Sequence, residues 1–99
     1  MNKVEQMLGL AQRARKIITG EEFVIKAIRQ GQVRLVILAE DASPNTRKKV
    51  MDKCSSYHVP CETYGDRCTL GAALGKEQRV VIGVTDVGFA ARLTQLIHQ

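Results

Sequence analysis

The segment Val33 to Ala39 is apolar at every position except Arg34, and Arg79 to Thr85 carries Val80, Val81, Ile82 and Val84 at similar density. A strand with one wet face alternates apolar and polar residues, so a run without alternation must be covered on both faces. The chain has 99 residues, room for one compact domain and not for two ordinary ones, so helices on either side of a small sheet have to supply that cover. The two runs are the expected inner strands.

The remaining segments fit that role. Val4, Met7, Leu8, Ala11 and Ala14 recur at helical spacing behind Asn2, a competent cap, and predict a first helix. Ile17, Ile18 and Thr19 predict a short strand ending at Gly20, followed by a helix to about Gly31 with Phe23, Val24, Ala27 and Ile28 on its apolar side. Ser43 before Pro44 reads as an N-cap with proline in the first turn. Val50, Met51, Cys54 and Tyr57 carry that helix to about Tyr57. Val59 to Tyr64 is a weak strand, placed at an edge because Pro60 has no amide hydrogen for a ladder. Thr69 is the expected cap of a short helix, Leu70 to Leu74, with Gly75 its stop. Asp86 is the expected cap of a last helix that turns Phe89, Ala90, Leu93, Leu96 and Ile97 inward. Helix and strand alternate from end to end. The expected fold is α/β, a three-layer α/β/α sandwich with a small four-stranded mixed sheet, with residues 1–99 forming a single domain.

Apolar residues at 44% and charged residues at 25% permit a core and exclude a disordered chain. No apolar run reaches membrane-spanning length and no signal-peptide core is present, so a soluble cytoplasmic protein is expected. Cys54, Cys61 and Cys68 leave one thiol unpaired in any disulfide scheme and lack the close pairs of a zinc site, which predicts reduced, mostly buried thiols. The net charge of +5 favours a polyanionic partner. The excess lies in the first two thirds: six basic against three acidic residues over 1–31, five against three over 32–60, then four against four.

Chemistry has little to work with. His58 and His98 stand alone in the sequence, no nucleophile has an evident base, and no His/Cys cluster has metal-ligand spacing. Thiol catalysis would need an activating neighbour, which the nearness of His58 to Cys54 in sequence does not establish. No enzymatic activity, catalytic residue, metal or cofactor is expected.

Binding has more. Thr19-Gly20-Glu21-Glu22 stands where a strand passes into a helix, the usual place for ligands in open α/β sheets. Thr19 and Glu22 also match a capping box, which alone would account for both, and paired carboxylates there would repel a phosphate. Glu22, Lys26 and Arg29 share an exposed strip of the helix. It reads equally as an RNA-contacting face or as a solvated Glu-to-Lys pair worth a few tenths of a kcal/mol. Lys76-Glu77-Gln78-Arg79 offers cations and an amide before a buried strand, or is an ordinary polar connection. Arg13, Arg15 and Lys16 lie close in sequence to Thr19-Gly20, a weak sign of phosphate contact. With Phe23 and Phe89 on core faces, no aromatic platform for single strands is expected, which favours structured RNA.

Thr19-Gly20-Glu-Glu-Phe-Val-Ile-Lys26, then Val-Ile-Leu-Ala-Glu40-Asp41-Ala-Ser-Pro44, then Leu70-Gly71-Ala-Ala-Leu-Gly75 resemble, in order and spacing, the bacterial branch of the ribosomal-protein family that recognises kink-turn RNA. The resemblance covers most of the chain. It implies an α/β/α fold whose second helix enters the RNA groove by its amino end at tandem sheared G·A pairs, with Gly20 and Lys26 carried over directly. Relatives often have Asn then Glu where this chain has Glu22 then Phe23, and a small apolar residue at Lys76. The resemblance also implies that Lys76, Glu77, Gln78 and Arg79, with Glu40, Asp41 and Ala42 after the inner strand, flank an extruded nucleotide. The implied partner is structured RNA, ribosomal or in an mRNA leader, bound by a monomer, with neither DNA nor a membrane. A protein-interaction module on the same fold and a small nucleotide-binding enzyme domain are the alternatives; the second lacks a complete glycine-rich phosphate loop.

Overall fold

The computed structural model describes residues 2–99. The elements run α1 (Lys3–Arg13), β1 (Ile17–Thr19), α2 (Glu21–Arg29), β2 (Leu35–Leu38), α3 (Pro44–Ser56), β3 (Cys61–Thr63), α4 (Arg67–Ala73), β4 (Val81–Val84) and α5 (Val87–Ile97). Strand order is β1-β4-β2-β3. β4 pairs antiparallel with β1 and β2, while β3 runs parallel to β2, so the sheet is mixed.

β2 and β4 are the inner strands and every residue in them is buried. Their side chains alternate between two cores, as pleating requires. Leu35, Ile37, Ile82 and Val84 face Leu8, Leu70 and Leu93 beneath α1, α4 and α5. Val36, Leu38 and Val81 face Val24, Ile28 and Val50 beneath α2 and α3. This is the α/β/α sandwich expected from the sequence, and truncating a fully buried side chain such as Ile37 to alanine would cost about 2–5 kcal/mol. Gly83 has no side chain where α2 crosses the sheet: a Cβ there would stand 3.4 Å from a Val24 methyl.

Caps set several helix starts. Asn2 and Glu5 form a capping box on α1, and the Ser43 hydroxyl accepts from the Thr46 amide on α3. α4 departs from expectation, beginning at Arg67 with Asp66 as its cap. Asp66 Oδ1 accepts from the Thr69 amide at 2.7 Å. Two competent caps stood three residues apart, and the earlier one wins because Arg67 is also tied to the loop after β2. His98, next to last in the chain, places Nε2 2.8 Å from the Glu62 carboxylate of β3. β3 is an edge strand, as β1 is on the other side, and the Pro60 carbonyl accepts from the Val36 amide.

Candidate functional site

The topology gathers the carboxyl ends of β1, β2 and β3 with the amino end of β4 on one rim of the sheet. Because β4 is antiparallel to both neighbours, Thr19 pairs with Ile82 and Leu38 with Val81, while parallel β3 sets Thr63 beside Leu38. The Gly20 amide donates to the Val81 carbonyl at 3.1 Å and the Ala39 amide to Val80 at 2.9 Å. Segments 19–22, 40–42 and 76–79 thus meet although they are far apart in sequence. At this rim is a groove of about 520 Å³ lined by Thr19, Gly20, Glu21, Gln78 and Arg79, with Phe23, Thr46 and Arg67 added by the fold; Glu22, Glu40, Asp41 and Ala42 do not line it.

The turn into α2 depends on Gly20. It is the N-cap, with φ +98 and ψ 141 and no side-chain cap hydrogen bond, a conformation costly for any residue with a Cβ. The expected capping box of Thr19 and Glu22 is absent. Thr19 is held in the ladder as the last residue of β1, and the N3 position falls on Phe23, one residue past Glu22.

The two acidic residues of that turn part company. Glu21 turns toward α3, accepting from the Thr46 hydroxyl at 2.8 Å and the Lys49 ammonium at 3.0 Å. The Thr46 hydrogen bond first, then Lys49, holds its carboxyl below the usual range, so much of the negative charge feared at this helix end is balanced locally. Glu22, Lys26 and Arg29 are exposed on the outer face. Among the described residues no ion pair joins Glu22 to Lys26.

The connection before β4 is anchored by its backbone. Lys76 donates its amide to the Gly71 carbonyl at 2.9 Å and Arg79 donates its amide to the Arg67 carbonyl at 3.0 Å. The Arg79 guanidinium folds onto the Gln78 carbonyl at 2.9 Å, and Gln78 Nε2 approaches Cys68 Sγ at 3.6 Å. Lys76 and Glu77 line a neighbouring hollow rather than the main groove.

Of the segment after β2, Asp41 is the active member. Its carboxylate accepts from the Arg67 amide at 3.0 Å and from Nε at 3.1 Å, while Arg67 Nη2 donates to the Asp41 carbonyl at 2.6 Å. The Glu40 carbonyl accepts from Arg47 at 3.0 Å. Ala42 is buried in the α2–α3 core and presents no side chain to a ligand.

Some expectations fail on geometry. Phe23 is not a core residue but 71% exposed; Ile25 takes the inward position instead. Arg15 and Lys16 lie at the opposite end of β1, where the Lys16 carbonyl accepts from the Thr85 amide, roughly 10 Å from the groove across three strand residues. The thiols are not uniformly buried: Cys54 is, Cys61 is partly so and Cys68 is exposed. The neighbour of Cys54 is not His58 but Cys61, whose hydrogen bond and shared burial push the Cys54 thiol up. Arg67 and Thr46 escaped the sequence reading because their partners lie 26 and 25 residues away. No group of His, Cys, Asp and Glu among the described residues is placed to hold a metal, and no helix there is long and apolar enough to cross a membrane.

Residues 2–94 match the profile of the ribosomal protein L7Ae/L30e/S12e/Gadd45 family. The chain is 55% identical over 91 residues to the RNA-binding protein YlxQ of Bacillus subtilis, covering 92% of this chain and 91% of that one. It is 33% identical over 100 residues to the large ribosomal subunit protein eL30 of Yarrowia lipolytica, covering 94% and 87%. A solved structure of a protein of unknown function from Bacillus halodurans superposes at TM-score 0.98 with 52% identity over the whole of both chains. The Giardia lamblia 15.5kD RNA binding protein shares the fold at TM-score 0.81 with 20% identity, covering 95% and 81%. With its profile match, these identities and the three-layer sandwich, the chain belongs to the L7Ae/L30e/S12e/Gadd45 family of ribosomal-type proteins, which is not an enzyme family.

Proposed function

We propose that this chain is a single RNA-binding domain that recognises kink-turned RNA with tandem sheared G·A pairs, in ribosomal RNA or a transcript leader. It acts as a cytoplasmic monomer and does no chemistry on the RNA. The observation that carries this reading is the convergence of the amino end of α2 with Gln78 and Arg79 on one groove. There the α2 dipole and the cations Arg67 and Arg79 favour phosphate, while Lys26 stands on the adjoining exposed face. The curated relatives named for RNA binding and for the large ribosomal subunit support the same reading.

Roles divide accordingly. Lys26, Arg29, Lys76 and Arg79 supply cations, Glu22 is an acceptor for base edges, and Gly20 lets the RNA approach the backbone. A protein-interaction module would draw on the acidic edge at Glu21-Glu22, and the engagement of Glu21 with Thr46 and Lys49 removes half of that edge. Titration at fixed salt tests the proposal: the kink-turn should bind at least tenfold tighter than a duplex lacking the G·A pairs. Equal affinity for the two would overturn it.

A further inference from the structure

Phe23 is 71% exposed, an unusual state for a phenyl ring in a chain whose other phenylalanine packs against a core. Its position is defined. It is the N3 residue of α2, it lines the groove, and its Cδ2 lies 3.7 Å from where a Cβ on Gly20 would stand. The glycine therefore leaves one face of the turn open beside the ring. Lys26 follows at i+3 on the outer face of the helix, and Arg79 and Gln78 line the same groove. No other aromatic side chain lines that groove among the described residues: Tyr64 accepts from Asn2 at the amino end of α1, and Tyr57 caps the distant end of α3. An apolar ring with flanking cations suits a flat heteroaromatic group joined to a phosphate, because stacking satisfies the ring while the cations hold the backbone.

We infer that the Phe23 ring is a stacking surface for one unpaired nucleobase of the bound RNA, contributing affinity that depends on the base's presence and little on its identity. This rests on the RNA-binding reading of the groove and adds a residue to it. Exposure also predicts that truncation leaves the fold intact, since few contacts are lost.

The test uses the whole chain and a kink-turn RNA in which each unpaired nucleotide is replaced in turn by an abasic site. The wild-type protein should lose about tenfold in affinity at one abasic position. Phe23→Ala should show that loss with the intact RNA and no further loss at that position. Phe23→Tyr should retain binding, and Phe23→Leu should behave like Phe23→Ala, separating stacking from apolar bulk. The chain has no tryptophan, so Phe23→Trp introduces a sole indole whose fluorescence should be quenched by the intact RNA and less by the abasic one. Equal affinity of Phe23→Ala and wild type for the intact RNA, or full binding by Phe23→Leu, overturns the stacking role while discrimination for G·A pairs keeps the groove reading standing. Loss of that discrimination in the wild type itself overturns both.

Discussion

The carbonyl carbon of Glu77 lies 2.6 Å from the point where a Cβ on Gly71 would stand, and the Gln78 Cα lies 3.1 Å from it. The obstructing atoms are backbone, so no rotamer change can make room. Gly71 is where α4 lets the 76–79 segment lie against it, and its own carbonyl accepts from the Lys76 amide. Gly71→Ala is therefore expected to push the segment off α4, costing about 1–3 kcal/mol and weakening RNA binding beyond what the stability loss explains. Urea denaturation and RNA titration at one temperature check it. Ala72→Ser, on the exposed side of the same helix, should stay within about 0.5 kcal/mol.

Asp41 and Arg67 join the exits of β2 and β3 through two carboxylate hydrogen bonds and one to a carbonyl. One of these is to a backbone amide, so Asp41→Ala should cost more than Arg67→Ala, though the pair is partly exposed. A double-mutant cycle should return a coupling of about 0.5–1 kcal/mol in thermal stability. A coupling of zero would mean that the pair does not hold the rim together. RNA affinity should fall in both single variants, through the lost cation in one and the loosened α4 start in the other.

Acid should expose the tether between α2 and α3. Hydrogen bonding to Thr46, then to Lys49, lowers the Glu21 pKa in the folded state below its ordinary value of 4.5. A depressed folded pKa contributes stability that is complete above the unfolded value and is lost as pH falls through the folded one. Wild-type stability should thus decline below about pH 4.5, and Glu21→Gln should flatten part of that decline while costing under about 1 kcal/mol at neutral pH. Identical acid limbs for the two proteins would remove the tether's role. Asp66, lowered by the Thr69 amide, adds to the same limb in both and does not distort the comparison.

What the sequence made legible follows from the range of the signal. The inner strands were plain because each is a local run of apolar residues. The candidate site was legible because Gly20 marks a strand-to-helix turn. Neither Glu21 with Thr46 nor Asp41 with Arg67 leaves a local trace, since each spans some 25 residues or more. Phe23 was misplaced by grouping it with Val24, Ala27 and Ile28 and leaving Ile25 out, whereas the buried set is Val24, Ile25, Ala27 and Ile28. Making Ile25 the inward member turns Phe23 toward Lys26, and hydrophobicity alone does not choose between the two. The Thr19 box failed for a tertiary reason, because the antiparallel pairing with Ile82 keeps Thr19 in the strand.

Lys26 is exposed on the outer face of α2 and makes no ion pair among the described residues. Lys26→Ala should leave the urea midpoint within about 0.5 kcal/mol of wild type and lower the slope of log affinity against log salt by about one. Unchanged affinity with intact stability would return Lys26 to a merely solvated side chain.

Glu22 is the subtler case, because two effects oppose. It is exposed at the second position of α2 and, unlike Glu21, has no ion-pair partner among the described residues. If its carboxylate accepts from a base edge of the G·A pairs, Glu22→Gln replaces an acceptor oxygen with a donor and the match is lost. The same substitution removes a negative charge near phosphates, which raises affinity for any RNA. Total affinity can therefore move either way and decides nothing. The ratio of Kd values for the G·A-disrupted RNA and the intact kink-turn cancels the non-specific gain, provided that both proteins are measured at one salt concentration. That ratio should fall by about five- to tenfold in Glu22→Gln, the value of one lost base contact. No capping role competes for the explanation, since α2 has no side-chain cap. A ratio equal to that of the wild type would leave Glu22 as a bystander and assign G·A discrimination to Lys26 and the α2 backbone.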